Sequence, residues 1–160
     1  WPTLTIVIHP KNAEELKRKF ETMPPHVELA TRRLSEEELR SLQNECGIHL
    51  CPSRCEGWGH YIVEAMSVGA VVVTTDAPPM NEIIGDDRGI LVAYAKETPR
   101  HLGVAYDVDP IALEAALNRL LNTPEATKAA LGANARAWFE MNHDGFIARV
   151  KEWAEREMKE

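Results

Sequence analysis

No stretch of this sequence is apolar for long enough to cross a membrane, and no signal-peptide pattern is visible in it. No run of lysine and arginine offsets its acid excess: 25 Asp and Glu stand against 18 Lys and Arg, a formal net charge of −7. Nucleic acid and anionic membrane surfaces are therefore not expected as partners, since both are drawn to basic patches. Internal repeats and low-complexity segments are also lacking. Cysteine is scarce, at three. Cys46, Cys51 and Cys55 follow a C-x4-C-x3-C spacing that matches no standard zinc module, even with His49 and His60 close by in sequence. His49 and Cys51 would share one face of a strand rather than a chelating loop. Small buried thiols in a reduced compartment are expected instead, with no disulfide and no metal. The expected location is cytoplasmic, with the full-length protein a candidate for association with the membrane surface.

What is present is an α/β rhythm. The 160 residues suit one domain with a sizeable core. Leu4 to Ile8 reads as a buried strand closed by His9-Pro10. Asn12 can cap a helix from Ala13 to Glu21 that places Leu16 and Phe20 on one face. Pro24-Pro25 ends it, and His26 to Ala30 is a second strand. Ser35 with Glu38 three residues on is a capping-box signature, opening a helix to about Glu45. Strands near 48–51, 71–74 and 89–92 follow, with helices between them. This alternation predicts a parallel sheet with helices on both faces. Tyr94 to Asp107 breaks the pattern and reads as a surface excursion. Three consecutive helices are then expected: Asp109-Pro110 to Leu121, Pro124 to about Met141, and Gly145 to Met158 after a break at Asn142-His143-Asp144. Phe146, Ile147, Val150, Trp153 and Ala154 line one face of the last, which packs either on its own domain or on another.

The chain is organised around Cys51 to Glu82, CPSRCEGWGHYIVEAMSVGAVVVTTDAPPMNE. Glu56-Gly57-Trp58-Gly59-His60 should be a loop leading into a short buried helix from Tyr61 to Val68, stopped by Gly69. Val71 to Thr75 is a β-branched run suited to a strand covered on both faces. Glycines let the backbone approach a ligand, and amides at a helix start point at whatever sits there, favouring an anion. Glu64 lies about one turn in and leans back toward that end. An ionised carboxylate has only acceptors, so it can take hydrogen bonds from two neighbouring hydroxyls of a ribose. The physical reading is a pocket for a nucleotide-linked sugar. Gly57-x-Gly59 is not a dinucleotide fingerprint, because Ile62 stands where a third glycine is needed and the loop before Gly57 is too long.

The Glu-x7-Glu pattern from Glu56 to Glu64 resembles the signature of the group 1 retaining glycosyltransferases of the GT-B fold. Pro52-Ser53, Glu64-Ala65-Met66, Gly69, and Thr75-Asp76 leading to Glu82-Ile83-Ile84 accompany it. The resemblance extends more weakly from about Thr5 to Ala137. It implies an α/β, Rossmann-like sheet ending in consecutive helices: residues 1–160 as the carboxy-terminal, donor-binding domain of such an enzyme, without the amino-terminal acceptor domain. The substrate implied is a nucleotide diphosphate sugar, with no further cofactor. Glu56 would contact the transferred sugar near its reacting carbon. Ser53, the amides of Gly57, Trp58, Gly59 and His60, and Tyr61 would face the sugar and diphosphate, and Glu64 would hold the ribose. Arg33, beside Arg32, sits where the family places the nucleobase. Asp76, Met80, Asn81 and Glu82 flank the turn after the buried strand, where α/β sheets place ligands. Here Pro78-Pro79 replaces two glycines that are common in the family, so those positions lose both the amide donor and φ freedom. His60 replaces an apolar residue, and either bonds the ligand or fills space.

The family also carries an Arg and a Lys on a loop after the domain's first strand, and no Arg…Lys-Gly sequence occurs near the start. With Trp1 as first residue, the sequence is read as an excised piece beginning one strand later. Its expected partners are the donor, the amino-terminal domain of the same protein and, weakly, a second copy of itself. Two other readings compete. One is a non-catalytic binding module that keeps the fold. The other is a glycoside hydrolase using Glu56 and Glu64 as acid and nucleophile.

Overall fold

The computed structural model describes residues 2–19 and 22–158. The chain divides into two compact units, Trp1–Leu42 and Gln43–Glu160.

The first unit contains a two-stranded parallel sheet, β1 (Leu4–Val7) and β2 (Val27–Ala30), with Leu4 opposite Val27 and Val7 opposite Ala30. Helix α1 (Pro10–Lys19) connects the strands and buries Ala13. Leu16 is half-buried on it; Phe20 and Glu21 lie outside the described residues. Helix α2 (Glu36–Glu45) carries the chain into the second unit. Its start is the capping box read from the sequence: Ser35 Oγ accepts from the Glu38 amide at 3.1 Å, and Glu38 Oε2 accepts from the Ser35 amide at 2.8 Å. Arg32 donates to both Glu38 oxygens, and this bond, with that from Ser35, lowers the Glu38 pKa to about 2. The hold on Glu38 is thus complete above its ordinary range and is lost as pH falls toward 2.

The second unit is built on a parallel sheet in the order β3 (Ile48–Cys51), β4 (Val71–Thr75), β5 (Ile90–Val92). All five residues of β4 are buried, which is why its sequence is an unbroken β-branched run. Successive side chains leave opposite faces. Val72 joins Cys51, Ile62, Met66, Met80, Ile84 and Ala135 on one side. Val71 and Val73 join Val92, Ala116 and Leu120 on the other. The first layer is covered by α3 (His60–Ser67), α4 (Met80–Ile83) and α6 (Glu125–Glu157), the second by α5 (Pro110–Leu121). Asp109 caps α5 by accepting from the Ile111 and Ala112 amides, with Pro110 at its first position. The α/β arrangement, parallel sheets flanked by helices, is the one the alternation predicts.

Two expectations about the second unit need correction, and in the first unit β1 is part-exposed and α1 begins at Pro10, with Asn12 inside it rather than capping it. Residues 94–107 are not irregular: β6 (Tyr94–Arg100) and β7 (Gly103–Val108) form an antiparallel hairpin, with Arg100 opposite Gly103. Nor does Asn142-His143-Asp144 break the chain. Helix α6 runs unbroken through it for 33 residues. None of the three residues is proline, their helix penalties are a few tenths of a kcal/mol each, and His143 stacks on Phe139 one turn back at 5.9 Å. The chain thus ends in two helices rather than three. The apolar face near its end is uncovered: Phe146 is 55% and Trp153 60% exposed, and Ile147 and Val150 are exposed too. Among the described residues this face is left largely open, with only Phe146 lining a hollow beside Trp58 and His60 of its own unit.

Candidate functional site

The loop between β3 and α3 is held from beneath by the end of β4. Thr74 Oγ1 donates to the Cys51 carbonyl at 2.8 Å, and Thr75 Oγ1 donates to the Ser53 carbonyl at 2.7 Å. Both threonines are buried, so each hydroxyl spends its hydrogen bond on fixing the loop. Ser53 in turn donates from Oγ to Glu56 Oε1 at 2.5 Å. Tyr61 joins this cluster. Its pKa is pushed up to about 12, chiefly by burial; a hydrogen bond with Ser53 opposes the rise and the Glu56 charge adds to it. Burial, then Glu56, likewise pushes the Cys51 thiol up to about 12, so Cys51 is an inert core thiol. Ser53, Glu56 and Tyr61 therefore form one polar group at the C-terminal end of the sheet.

The loop turns into α3 at Gly59, whose φ of 74° is left-handed. An L side chain there would pay about 1–2 kcal/mol, and its Cβ would lie 3.1 Å from Ile62 Cδ1. The first amides bonded to a carbonyl at this helix start are those of Ile62 and Val63, both to the Gly59 carbonyl. Those of His60 and Tyr61 have no intrahelical acceptor, and no side chain caps the helix. Gly57, Trp58 and His60 are exposed around this start. Glu64, one turn on, is exposed too. Its Oε2 accepts from Gln43 Nε2 at 2.9 Å, which aims the carboxylate while leaving Oε1 for a ligand.

After β4, Asp76 Oδ1 accepts from Asn81 Nδ2 at 3.0 Å. The Asn81 amide donates to the Ala77 carbonyl and the Glu82 amide to the Pro79 carbonyl, so neither is open to a ligand. The Met80 side chain is buried in the core, and only its backbone can serve. Glu82 is exposed, as is Arg33, which belongs to the first unit. His49 is tied internally, its Nε2 within 3.1 Å of the Gln43 and Cys46 carbonyls. The structure thus joins Ser53, Glu56 and Tyr61, and separately Asp76 and Asn81.

The hairpin adds residues that the sequence reading missed. It is fastened to the loop by the Tyr106 amide donating to the Arg54 carbonyl at 2.7 Å and by the Arg54–Asp107 ion pair at 2.5 Å. Arg100 Nη1 donates to Cys55 Sγ at 3.5 Å. A cavity of about 720 Å³ lies between this hairpin, Glu56-Gly57 and Pro78-Pro79. A second hollow of about 510 Å³ on the α6 side is lined by Trp58, His60, His143 and Arg149 among others. The missed signal was Gly103 to Val108, a short apolar–β-branched run ahead of a helix cap. Its partner strand, with Lys, Glu, Pro and Arg, has little strand character of its own.

A sequence model of the group 1 glycosyl transferases matches residues 2–123. The chain belongs to that family. Among curated proteins, a stretch of 59 residues is 37% identical to the GDP-mannose:cellobiosyl-diphosphopolyprenol alpha-mannosyltransferase of Xanthomonas oryzae pv. oryzae, covering 36% of this chain and 16% of that protein. Among solved structures, HepE from Anabaena, determined with UDP and glucose, superposes with a TM-score of 0.69 at 19% identity, over 94% of this chain and 40% of HepE. The C-terminal domain of the group 1 glycosyl transferase LpcC from Francisella tularensis gives 0.61 at 20% identity, over 83% of this chain and 63% of that domain. Both structures show the same fold. This glycosyltransferase chain spans less than half the length of HepE and about a sixth of the mannosyltransferase.

Proposed function

We propose that the chain is the donor-binding part of a retaining glycosyltransferase, which moves a sugar from a nucleoside diphosphate to an acceptor hydroxyl. One observation carries the reading: the unpartnered His60 and Tyr61 amides open a helix between the two carboxylates of the Glu-x7-Glu pattern, each already oriented by a neighbour. The diphosphate sits at those amides, where backbone donors and the helix dipole favour it. Glu64 takes the ribose hydroxyls on its free oxygen. Glu56, fixed by Ser53, faces the sugar being transferred. As the diphosphate departs, positive charge develops on that sugar, so the carboxylate and the fixed phosphate donors stabilise opposite ends of the breaking bond. HepE's complex with UDP and glucose supports the ligand class, as does the name of the Xanthomonas relative. Calorimetric titration with UDP, UDP-glucose and GDP-mannose tests it. At least one should bind, through its diphosphate; binding of free sugar with no response to any nucleotide would overturn the reading.

The remainder of such an enzyme supplies the acceptor side. The 160-residue chain alone is therefore expected to bind nucleoside diphosphates weakly and to transfer no sugar. A transfer assay with radiolabelled donor checks this, and turnover by this chain alone would contradict it.

The uncovered face of α6 belongs to the same proposal. Phe146, Ile147, Val150 and Trp153 form an exposed apolar patch, and such patches drive association. Self-association that rises with protein concentration is expected. It should also rise with salt, because screening weakens the repulsion between chains of net charge −7. Sedimentation should show Trp153→Ala suppressing it; a monomer at every concentration and salt would remove this part of the account.

A further inference from the structure

The cavity at Glu56 has one wall that the catalytic reading leaves unused, the tip of the β6–β7 hairpin. Arg100, His101, Leu102 and Gly103 line it opposite Glu56 and Gly57. The tip is not a loose appendage, because β7 is bonded to the loop at Arg54 by a backbone hydrogen bond and an ion pair. Among the described residues Arg100 is the only guanidinium lining the cavity, and it donates to the weak acceptor Cys55 Sγ at 3.5 Å. Its five-donor fork therefore keeps most of its capacity. Among the described residues Arg100 bonds Cys55 rather than Glu56, whose Oε1 accepts from Ser53 at 2.5 Å.

His101 has a φ of 52°, the one positive value at a non-glycine position among the described residues. The first position of a two-residue hairpin turn with positive φ is one that glycine fills without strain. Here a histidine occupies it, at a cost of about 1 kcal/mol, and it lines the cavity. Strain kept at a cavity wall is a pointer to function.

We propose that this wall selects a substrate bearing a carboxylate close to the reacting sugar, with Arg100 as the recognising group and His101 as a second donor. Planar, bidentate pairing is what a guanidinium offers such an anion and a neutral hydroxyl cannot exploit. The charged group could sit on the transferred sugar or on the acceptor. The proposal rests on the donor-site reading given above.

Two titrations distinguish the sources. The first compares UDP-glucuronate with UDP-glucose; the second compares glucuronate with glucose, in the absence and presence of UDP. A preference of about tenfold or more for the charged ligand is expected in at least one, on the scale of a charge-assisted hydrogen bond. Preference in the first places the charge on the donor sugar, and in the second alone on the acceptor. Arg100→Gln should reduce it to about onefold while leaving affinity for UDP unchanged. His101→Gly, which removes the strain, should keep or raise the melting temperature and still weaken the preference several-fold. No preference in either titration, or one that survives Arg100→Gln, overturns the proposal, even if UDP binds. Failure of every nucleotide to bind overturns the donor-site reading instead, and glucuronate without UDP then still reports on Arg100.

Discussion

Glu64→Gln is expected to weaken binding of UDP by about 1–3 kcal/mol, roughly 5- to 150-fold, the scale of a lost hydrogen bond to a charged acceptor. The substitution keeps the side chain's shape and its place on α3, an exposed position one turn into the helix. It replaces one of two acceptor oxygens by a donor, which cannot receive a ribose hydroxyl. The control is chemical. Affinity for a 2′,3′-dideoxy nucleotide should hardly change, because that ligand offers the carboxylate nothing to accept. Equal losses for both ligands would mean that Glu64 only holds the helix in place. Gln43→Ala, which removes the 2.9 Å neighbour, should leave affinity within a few-fold, since Gln43 aims the carboxylate without touching ligand.

Gly132→Ala should destabilise the protein by about 2–3 kcal/mol, the upper range for forcing an extra methyl into a packed site. On an isolated helix the same change would stabilise by nearly 1 kcal/mol, so here the sign of the effect is informative. A Cβ at Gly132 would lie 2.0 Å from the Gly69 carbonyl oxygen, a backbone atom that no rotamer change can move. Relief requires α6 to lift away from the turn between α3 and β4, and with it Ala135 from the core shared with Ile62 and Met66. Gly145, further along α6, supplies the contrast. A Cβ there meets only the end of the Arg149 side chain at 3.2 Å, so Gly145→Ala should be neutral or stabilising by up to about 1 kcal/mol. Denaturant midpoints of the two variants measure the difference. Similar values for both would show that α6 is not seated at Gly132.

The parts of this molecule legible in its sequence are those where one local rule dominates. Val71 to Thr75 could only be a doubly covered strand, and Ser35 with Glu38 formed the capping box expected of them. The loop from Glu56 to Gly59 and the helix behind it also lay within one residue of where the spacing put them. The misreadings share a different cause. The hairpin from Tyr94 to Val108 owes its form to anchoring at Arg54 and to the pairing of its own strands, neither of which β6 announces locally. Helix α6 ran through Asn142 to Asp144 because three mildly unfavourable residues cannot outweigh the helix on either side. At the site, the resemblance supplied candidate residues but not their partners. That Thr75 holds Ser53, that Ser53 holds Glu56, and that Gln43 holds Glu64 are contacts across 22, 3 and 21 residues. Only the serine–glutamate pair was close enough in sequence to be guessed. Asn81 shows the reverse: it flanks the turn after β4 where a ligand was expected, yet that turn consumes its backbone amide.

The central claim is that a nucleotide-linked sugar sits on the start of α3 between Glu56 and Glu64. Amide resonances of the chain, followed by heteronuclear NMR during titration with UDP-glucose and with GDP-mannose, test it most directly. The account predicts that the preferred ligand shifts the amides of Gly57, Trp58, Gly59, His60 and Tyr61 most strongly. The Tyr61 and His60 signals should lead, since their N–H groups have no acceptor within the helix. Shifts confined to other surfaces, with those five amides unmoved at saturation, would contradict it.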